Sequence, residues 1–296
     1  MNPPGACDRA VLLDLDVARD ALPAEMPNLT DSQRRRLEMF GLLESVDIHC
    51  HCLPGLDDGP ETMVEALELS RALVEDGTTT VLATPHQLGR YDGRNESGEI
   101  RRKVGEMGAA LKDEGIPLRI LPGGDVRIDE RIPSLIEQDR VMTVADSGRY
   151  LLLELPSDFC ISPIPLMHAM RGKGVELILT HPERYVYLAK EPQKVIGWVQ
   201  EGLHLQVTAG SLTGRFGELA MQAGWFWLER GVVAMVASDA HHATARRPCM
   251  SDAIAAITSR LGRRVASITC LENPLRAIKG LPIGRSGGGQ YCAGLQ

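Results

Sequence analysis

Residues 45–60 read SVDIHCHCLPGLDDGP. The first six form a short β-prone run that leads into histidines at alternate positions, His49 and His51. In a strand, residues i and i+2 point to one face, so the two imidazoles can reach one metal ion together. Cys50 and Cys52 interleave with them and face the other way. No second thiolate pair follows at zinc-ribbon spacing, which argues against a Cys-x-Cys zinc site. The loop that follows contains Pro and Gly and can fold back over the strand end, carrying Asp57 and Asp58. DDGP is turn chemistry in its own right. The histidines beside it are what make Asp58 a candidate ligand.

Outward from this stretch the chain alternates. Short β-rich runs lie at 45–50, 78–84, 117–126, 150–155, 175–181, 203–208 and 232–239, with helical stretches at 60–76, 96–114, 162–173, 191–201, 213–230 and 248–261. Thr62, Val64 to Leu69 and Leu73 show the 3–4 residue apolar spacing of an amphipathic helix. Such alternation predicts parallel strands joined by crossover helices. Seven strands over about 240 residues fit a closed or nearly closed barrel better than two doubly wound domains. Residues 1–44 read as an N-terminal extension with a short helix from Thr30 to Leu43, residues 45–283 as the main domain, and the glycine-rich 284–296 as a flexible tail.

The chain has 296 residues, 44% of them hydrophobic, which is enough to bury a sizeable core and excludes wholesale disorder. Its 32 Lys and Arg against 39 Asp and Glu give a net charge of −7, which argues against a general nucleic-acid binder. The apolar runs are too short for a membrane span, and Asp14, Asp16 and Asp20 interrupt the opening stretch where a signal peptide needs an apolar core. Seven cysteines without framework spacing read as free thiols in a reducing cytoplasm.

In a parallel barrel the functional side chains sit at the C-terminal ends of strands. His49 and His51 end the first run, His86 follows the second, and Asp125 ends the third. Glu154 ends the fourth, His181 the fifth, and Asp239 and His241 close the last. A lone buried histidine is more often a hydrogen-bonded core residue than a ligand. So many ionisable groups at one barrel mouth would instead repel or neutralise one another without cations. Imidazole and carboxylate donors suit Mn²⁺, Fe or Zn²⁺. With Asp58 the candidates number nine, more than one or two ions need, so several bridged ions would use them all. Arg184, three residues past His181, and Arg246, five past His241, carry guanidinium forks suited to phosphate oxygens. A Ser, Cys or Lys nucleophile finds no good partner pattern.

DIHCHCLPGLDDGP, ATPH, GGDV, LLLEL, THPERY, QVTAGSL with FG soon after, ASDAHH and ENP occur in order from about Val46 to Pro282. In these motifs the chain resembles the polymerase-and-histidinol-phosphatase (PHP) superfamily. More closely, it resembles the bacterial manganese-dependent protein-tyrosine phosphatases of capsule and exopolysaccharide synthesis. The resemblance implies an α/β fold, a distorted (β/α)7 TIM-like barrel, with up to three Mn²⁺ ions. By carry-over, His49, His51, Asp58, His86, Asp125, Glu154, His181, Asp239 and His241 would be ligands, and Arg184 and Arg246 would contact phosphate. The chain departs from that pattern at three positions. Asp125 stands where the family usually has a bridging glutamate, Thr208 where the branch has asparagine, and Gln87 where a second histidine is common.

The expected reaction is phosphomonoester hydrolysis by water acidified at bound ions. By resemblance, the substrate is a phosphotyrosine protein, a bacterial tyrosine kinase with a phosphorylated tail. A small-molecule phosphatase of the same superfamily, acting on histidinol phosphate or a nucleotide, is the near alternative. An amide hydrolase of the amidohydrolase type also opens with His-x-His, but no lysine ends a strand here. Asp125 motivates a third alternative, a weakly active metal-binding regulatory module. Oligomeric state stays open, with 60–76 and 213–230 as candidate interface helices.

Overall fold

Each predicted run becomes a parallel strand in the computed structural model, which describes residues 45–284. The strands are β1 (Ser45–Cys50), β2 (Thr78–Ala83), β3 (His86–Gln87), β4 (Arg119–Pro122), β5 (Asp125–Arg127), β6 (Tyr150–Glu154), β7 (Glu176–Thr180), β8 (His204–Thr208) and β9 (Met235–Ala237). They pair in the orders β1-β2-β4 and β3-β5-β6-β7-β8-β9. The 78–84 run forms β2, and a further short strand outside it, β3, follows after Pro85, which has no N–H to give to a ladder. The 117–126 run breaks at Gly123 and Gly124 between β4 and β5. A Cβ on Gly124 would lie 2.3 Å from Gln87 Oε1, so glycine there leaves room for the Gln87 side chain that accepts from Met142 N.

Counting β2–β3 and β4–β5 as one position each, seven strand positions surround the barrel. Backbone bonds close the seam. Asp239 N donates to His49 O at 2.8 Å and His51 N donates to Ala240 O at 2.9 Å. Buried Asp47 staples the same seam, accepting from Ser238 N at 3.0 Å, from Ser238 Oγ and from His49 N at 3.2 Å. This is why the last strand ends before Asp239. After Ala237 the backbone leaves β8 and bonds to β1 instead.

Alternation sorts the core. On β6, Tyr150 and Leu152 share a buried cluster with Leu82, Ile178, Met235 and Ala237. Leu151 and Leu153 pack instead with Leu177, Leu179, Leu205 and helix residues Met167, Met170 and Trp198. Glu154 continues the parity of Tyr150 and Leu152, so it emerges at the top of that column. The expected helices form at Met63–Glu75, Ser97–Asp113, Ile164–Arg171, Pro192–Gln200, Glu218–Glu229 and Met250–Leu261. The first opens with a capping box, Thr62 with Glu65. The helix expected from 213 starts only at Glu218, because Gly217 sits at φ 87, outside helical backbone. Helices Ile132–Glu137 and Asn273–Ile278, which periodicity did not reveal, also form. The helix expected over Thr30–Leu43 and the tail beyond Gly284 lie outside the described residues. Among the described residues no helix is long and apolar enough to cross a membrane, and the five cysteines are free.

Candidate metal centre

Where a strand stops, the backbone turns and its last side chain faces the barrel axis. His181, just past β7, and Asp239, just past β9, both take left-handed backbone, φ 37 and φ 52. For residues with a Cβ this conformation is sparsely populated and recurs at functional sites. The loop after β1 folds back through a Gly55 N to Pro60 O bond of 2.9 Å and brings Asp58 over the mouth.

All nine residues predicted from the sequence come together. Donor atoms of His51, Asp58, His86 and His241 lie within 4.8 Å of one another, and so do those of His49, Asp125 and His181. His49, His51 and Asp239 form a third such group, and His86, Asp125 and Glu154 a fourth. Asp125 is central, with Oδ2 at 3.7 Å from His49 Nε2, 3.3 Å from His86 Nδ1 and 3.8 Å from His181 Nε2. Asp58 Oδ1 lies 3.4 Å from both His86 Nε2 and His241 Nε2. Asp239 Oδ1 lies 3.5 Å from His49 Nε2 and 3.4 Å from His51 Nε2. The two Nε2 atoms of His49 and His51 are 3.2 Å apart, so the alternate-residue geometry holds.

The electrostatics fit cations. Burial pushes the Asp125 carboxyl up, but His49, His181 and His86 outweigh it and hold it well below the carboxylate range. Burial opposes charge on His51, yet Asp57 and Asp239 raise it to about 9. His86 is raised to about 11 against its burial by Asp125, Asp58 and Glu154. In contrast, burial lowers His181 and His241 to about 4. Burial and Asp125 raise Glu154 to about 7. Protons on His51 and His86 thus balance the carboxylates, and metal binding would displace such protons. Asp125 Oδ2 and Asp239 Oδ1 are buried with no hydrogen-bond partner. A native interior leaves acceptors this way rarely, and an ion is a standard reason. The donor set and these orphaned oxygens together fit cations of hard or borderline character.

Arg184 and Arg246 also arrive where the sequence placed them. Both guanidiniums reach Asp239 Oδ2, and Arg246 Nη1 lies 2.9 Å from His241 Nε2. Arg184 packs over the Phe216 ring at 4.5 Å.

Sequence reasoning missed the groups that aim the imidazoles. Asp57 Oδ2 lies 2.5 Å from His51 Nδ1 and accepts from His86 N at 3.0 Å, while Oδ1 takes Gly59 N at 3.0 Å. Asp57 thus serves both the turn and the site. Gln206 Oε1 lies 2.9 Å from His49 Nδ1, leaving Nε2 for the cluster. A glutamine inside the apolar run LHLQVT was the visible signal for it. Of the departures from the family pattern, Gln87 turns away from the cluster. Its Nε2 donates to Asn95 O at 2.7 Å and its Oε1 accepts from Met142 N at 2.8 Å. Thr208 is buried, and its Oγ1 has no partner.

A profile of the family described as "Capsular polysaccharide synthesis, CpsB/CapC" matches residues 45–279. The tyrosine-protein phosphatase YwqE of Bacillus subtilis is 31% identical over 223 residues, covering 73% of this chain and 85% of that protein. Crystal structures of YwqE and of CpsB from Streptococcus pneumoniae, described as unique metal-dependent tyrosine phosphatases, include a chain that superposes with TM-score 0.77. Its identity is 29%, and the overlap covers 81% of this chain and 96% of the other. A β-aspartyl dipeptidase from Fervidobacterium islandicum superposes with TM-score 0.51 at 17% identity over 84% of this chain and 76% of the other, a likeness of fold alone.

Proposed function

The chain belongs to the CpsB/CapC family of capsular polysaccharide synthesis, and from that footing we propose that it is a metal-dependent phosphomonoesterase acting on phosphotyrosine in proteins. The observation that carries this is the convergence of nine imidazole and carboxylate side chains, six of them buried, beside two arginines at one barrel mouth. His49, His51, Asp58, His86, Asp125, Glu154, His181, Asp239 and His241 are the proposed ligands of up to three ions. Mn²⁺ is the proposed metal, and Fe or Zn²⁺ would fit the same donors. Bound there, the ions supply Lewis-acid charge to phosphoryl oxygens and bring water's pKa toward neutrality.

The chain's own residues do the rest. Asp57 and Gln206 hold the His51 and His49 rings so that each Nε2 faces the cluster. Arg184 and Arg246 stay partly exposed, 26% and 30%, so each can turn N–H donors to the phosphate oxygens of a substrate. Phosphoryl transfer needs positioning and charge more than covalent chemistry. The neighbouring Cys50 is no nucleophile, because burial and Cys52 push its thiol well above its ordinary value. We place the substrate tyrosine on the flexible tail of a bacterial tyrosine kinase in the cytoplasm, within capsule or exopolysaccharide regulation. Residues 45–283 form the catalytic unit in this proposal.

The experiment is hydrolysis of p-nitrophenyl phosphate and of a phosphotyrosine peptide with added Mn²⁺, with histidinol phosphate and a nucleotide as competing substrates. Peptide turnover that these competitors do not displace is the expected result. No turnover of either ester, with metal verified as bound, would reject the proposal.

A further inference from the structure

Arg127 takes no part in the chemistry described so far, yet it is built into the barrel mouth. It follows Asp125 by two residues on β5, so both side chains leave the strand on one face. Across the β5–β6 ladder it lies in register with Glu154. Its Nη1 donates to Leu155 O at 2.6 Å, and its Nε lies 3.2 Å from Glu154 Oε2. Gly89 backs the aliphatic stem so closely that a Cβ there would lie 3.2 Å from Arg127 Cγ. Two contacts thus hold the side chain before it meets Glu154, Leu155 O at the guanidinium and Gly89 at the stem.

Glu154 has the opposite situation. Its Oε2 lies 3.7 Å from His86 Nδ1, in one donor group with Asp125. Two carboxylates in one group repel each other, and the longer one has rotamers that carry it out toward solvent. We infer that Arg127 is a positioning residue, holding the Glu154 carboxylate turned toward His86 and Asp125 so that the three form one cation-binding group. A planar guanidinium can hold Leu155 O and Glu154 at once through different N–H groups, which a single ammonium does less well. The inference rests on the metal-centre proposal above.

The test titrates Mn²⁺ into metal-stripped protein and counts bound ions and their affinities, for wild type, Arg127→Met, Arg127→Lys, Glu154→Gln and the Arg127→Met/Glu154→Gln double variant. Arg127→Met is expected to weaken the loosest Mn²⁺ by about 10- to 100-fold, the usual effect of removing a group that orients a ligand. Arg127→Lys should recover part of that loss, and it carries the comparison if Arg127→Met does not fold. In the Glu154→Gln background, Arg127→Met should add less than about 2-fold, because the two act through one group. Unchanged Mn²⁺ affinity in Arg127→Met would overturn the inference. So would an equal Arg127→Met effect with and without Glu154. Wild type that binds neither Mn²⁺ nor Fe²⁺ nor Zn²⁺ would overturn the metal centre itself, a result distinct from either.

Discussion

The two ends of the barrel are made from the same strands and treat buried polar groups in opposite ways. At the N-terminal end the polar groups are matched. Tyr150 Oη donates to Leu281 O at 2.9 Å, and Asn273 Nδ2 bridges Ala234 O and Gly284 O at 2.8 and 2.7 Å. Glu176 takes His204 at 2.7 Å and Arg149 at 2.5 Å. At the C-terminal end, Asp125 Oδ2 and Asp239 Oδ1 are buried without a hydrogen bond, among five histidines. One end closes the barrel with satisfied bonds. The other withholds acceptors, a cost that only a cation or a proton can offset. This division matches the general rule that parallel barrels keep stability at one face and chemistry at the other.

The contrast can be broken most sharply at Asp125. Asp125→Asn should lower kcat/KM for p-nitrophenyl phosphate by at least about 10³-fold while leaving the melting point of the metal-stripped protein unchanged or higher, since it removes a buried charge. A large fall in that melting point would mean the top of the barrel is held together by its carboxylates, and the contrast would fail. Next in size is Arg184→Ala, expected to cost about 10²-fold in kcat/KM, within the range for removing a group that stabilises the transferring phosphoryl charge. Metal content should stay at the wild-type count, so elemental analysis separates phosphate contact from metal loss.

At the other end the signs reverse. Asn273→Ala leaves two backbone carbonyls without their donor and should cost about 2 kcal/mol by denaturant unfolding. Its kcat/KM at saturating Mn²⁺ should stay within about 2-fold of wild type. The smallest effect concerns pH. The His204 hydrogen bond, with Arg149 beyond it, holds the Glu176 carboxyl below its ordinary 4.5. A lowered carboxyl pKa contributes stability that is present above about pH 4.5 and is lost as pH falls through the folded value. Glu176→Gln should therefore lose a small part of the stability at pH 7 and flatten the acid side of the curve, so that variant and wild type converge as pH falls below about 4.5. An unchanged acid limb in that variant would show that the pair contributes nothing to closing the barrel.

Much of this was legible in the chain itself. Eight of the nine ionisable residues stand at or just past the end of an expected β run, and strand–helix alternation told where those ends were, while Asp58 lies on the loop after the first. What stayed hidden depends on contacts between distant segments. Gln206 serves His49 from 157 residues away. Arg127 matters only through its register with Glu154 on the next strand. The break between β4 and β5 falls at Gly123 and Gly124, inside a run read as one strand, and β3 lies beyond Pro85, past the end of the expected run. Asp57 was hidden differently. Its turn role was visible, and nothing local signals that the same carboxylate also reaches His51.

The most direct measurement is a Mn²⁺ titration of chelator-stripped protein, following bound metal and hydrolysis of a phosphotyrosine peptide together. The stripped chain should be inactive, and turnover should rise with occupancy until the cluster is full. Full turnover by protein shown to carry no metal would contradict the account at its centre.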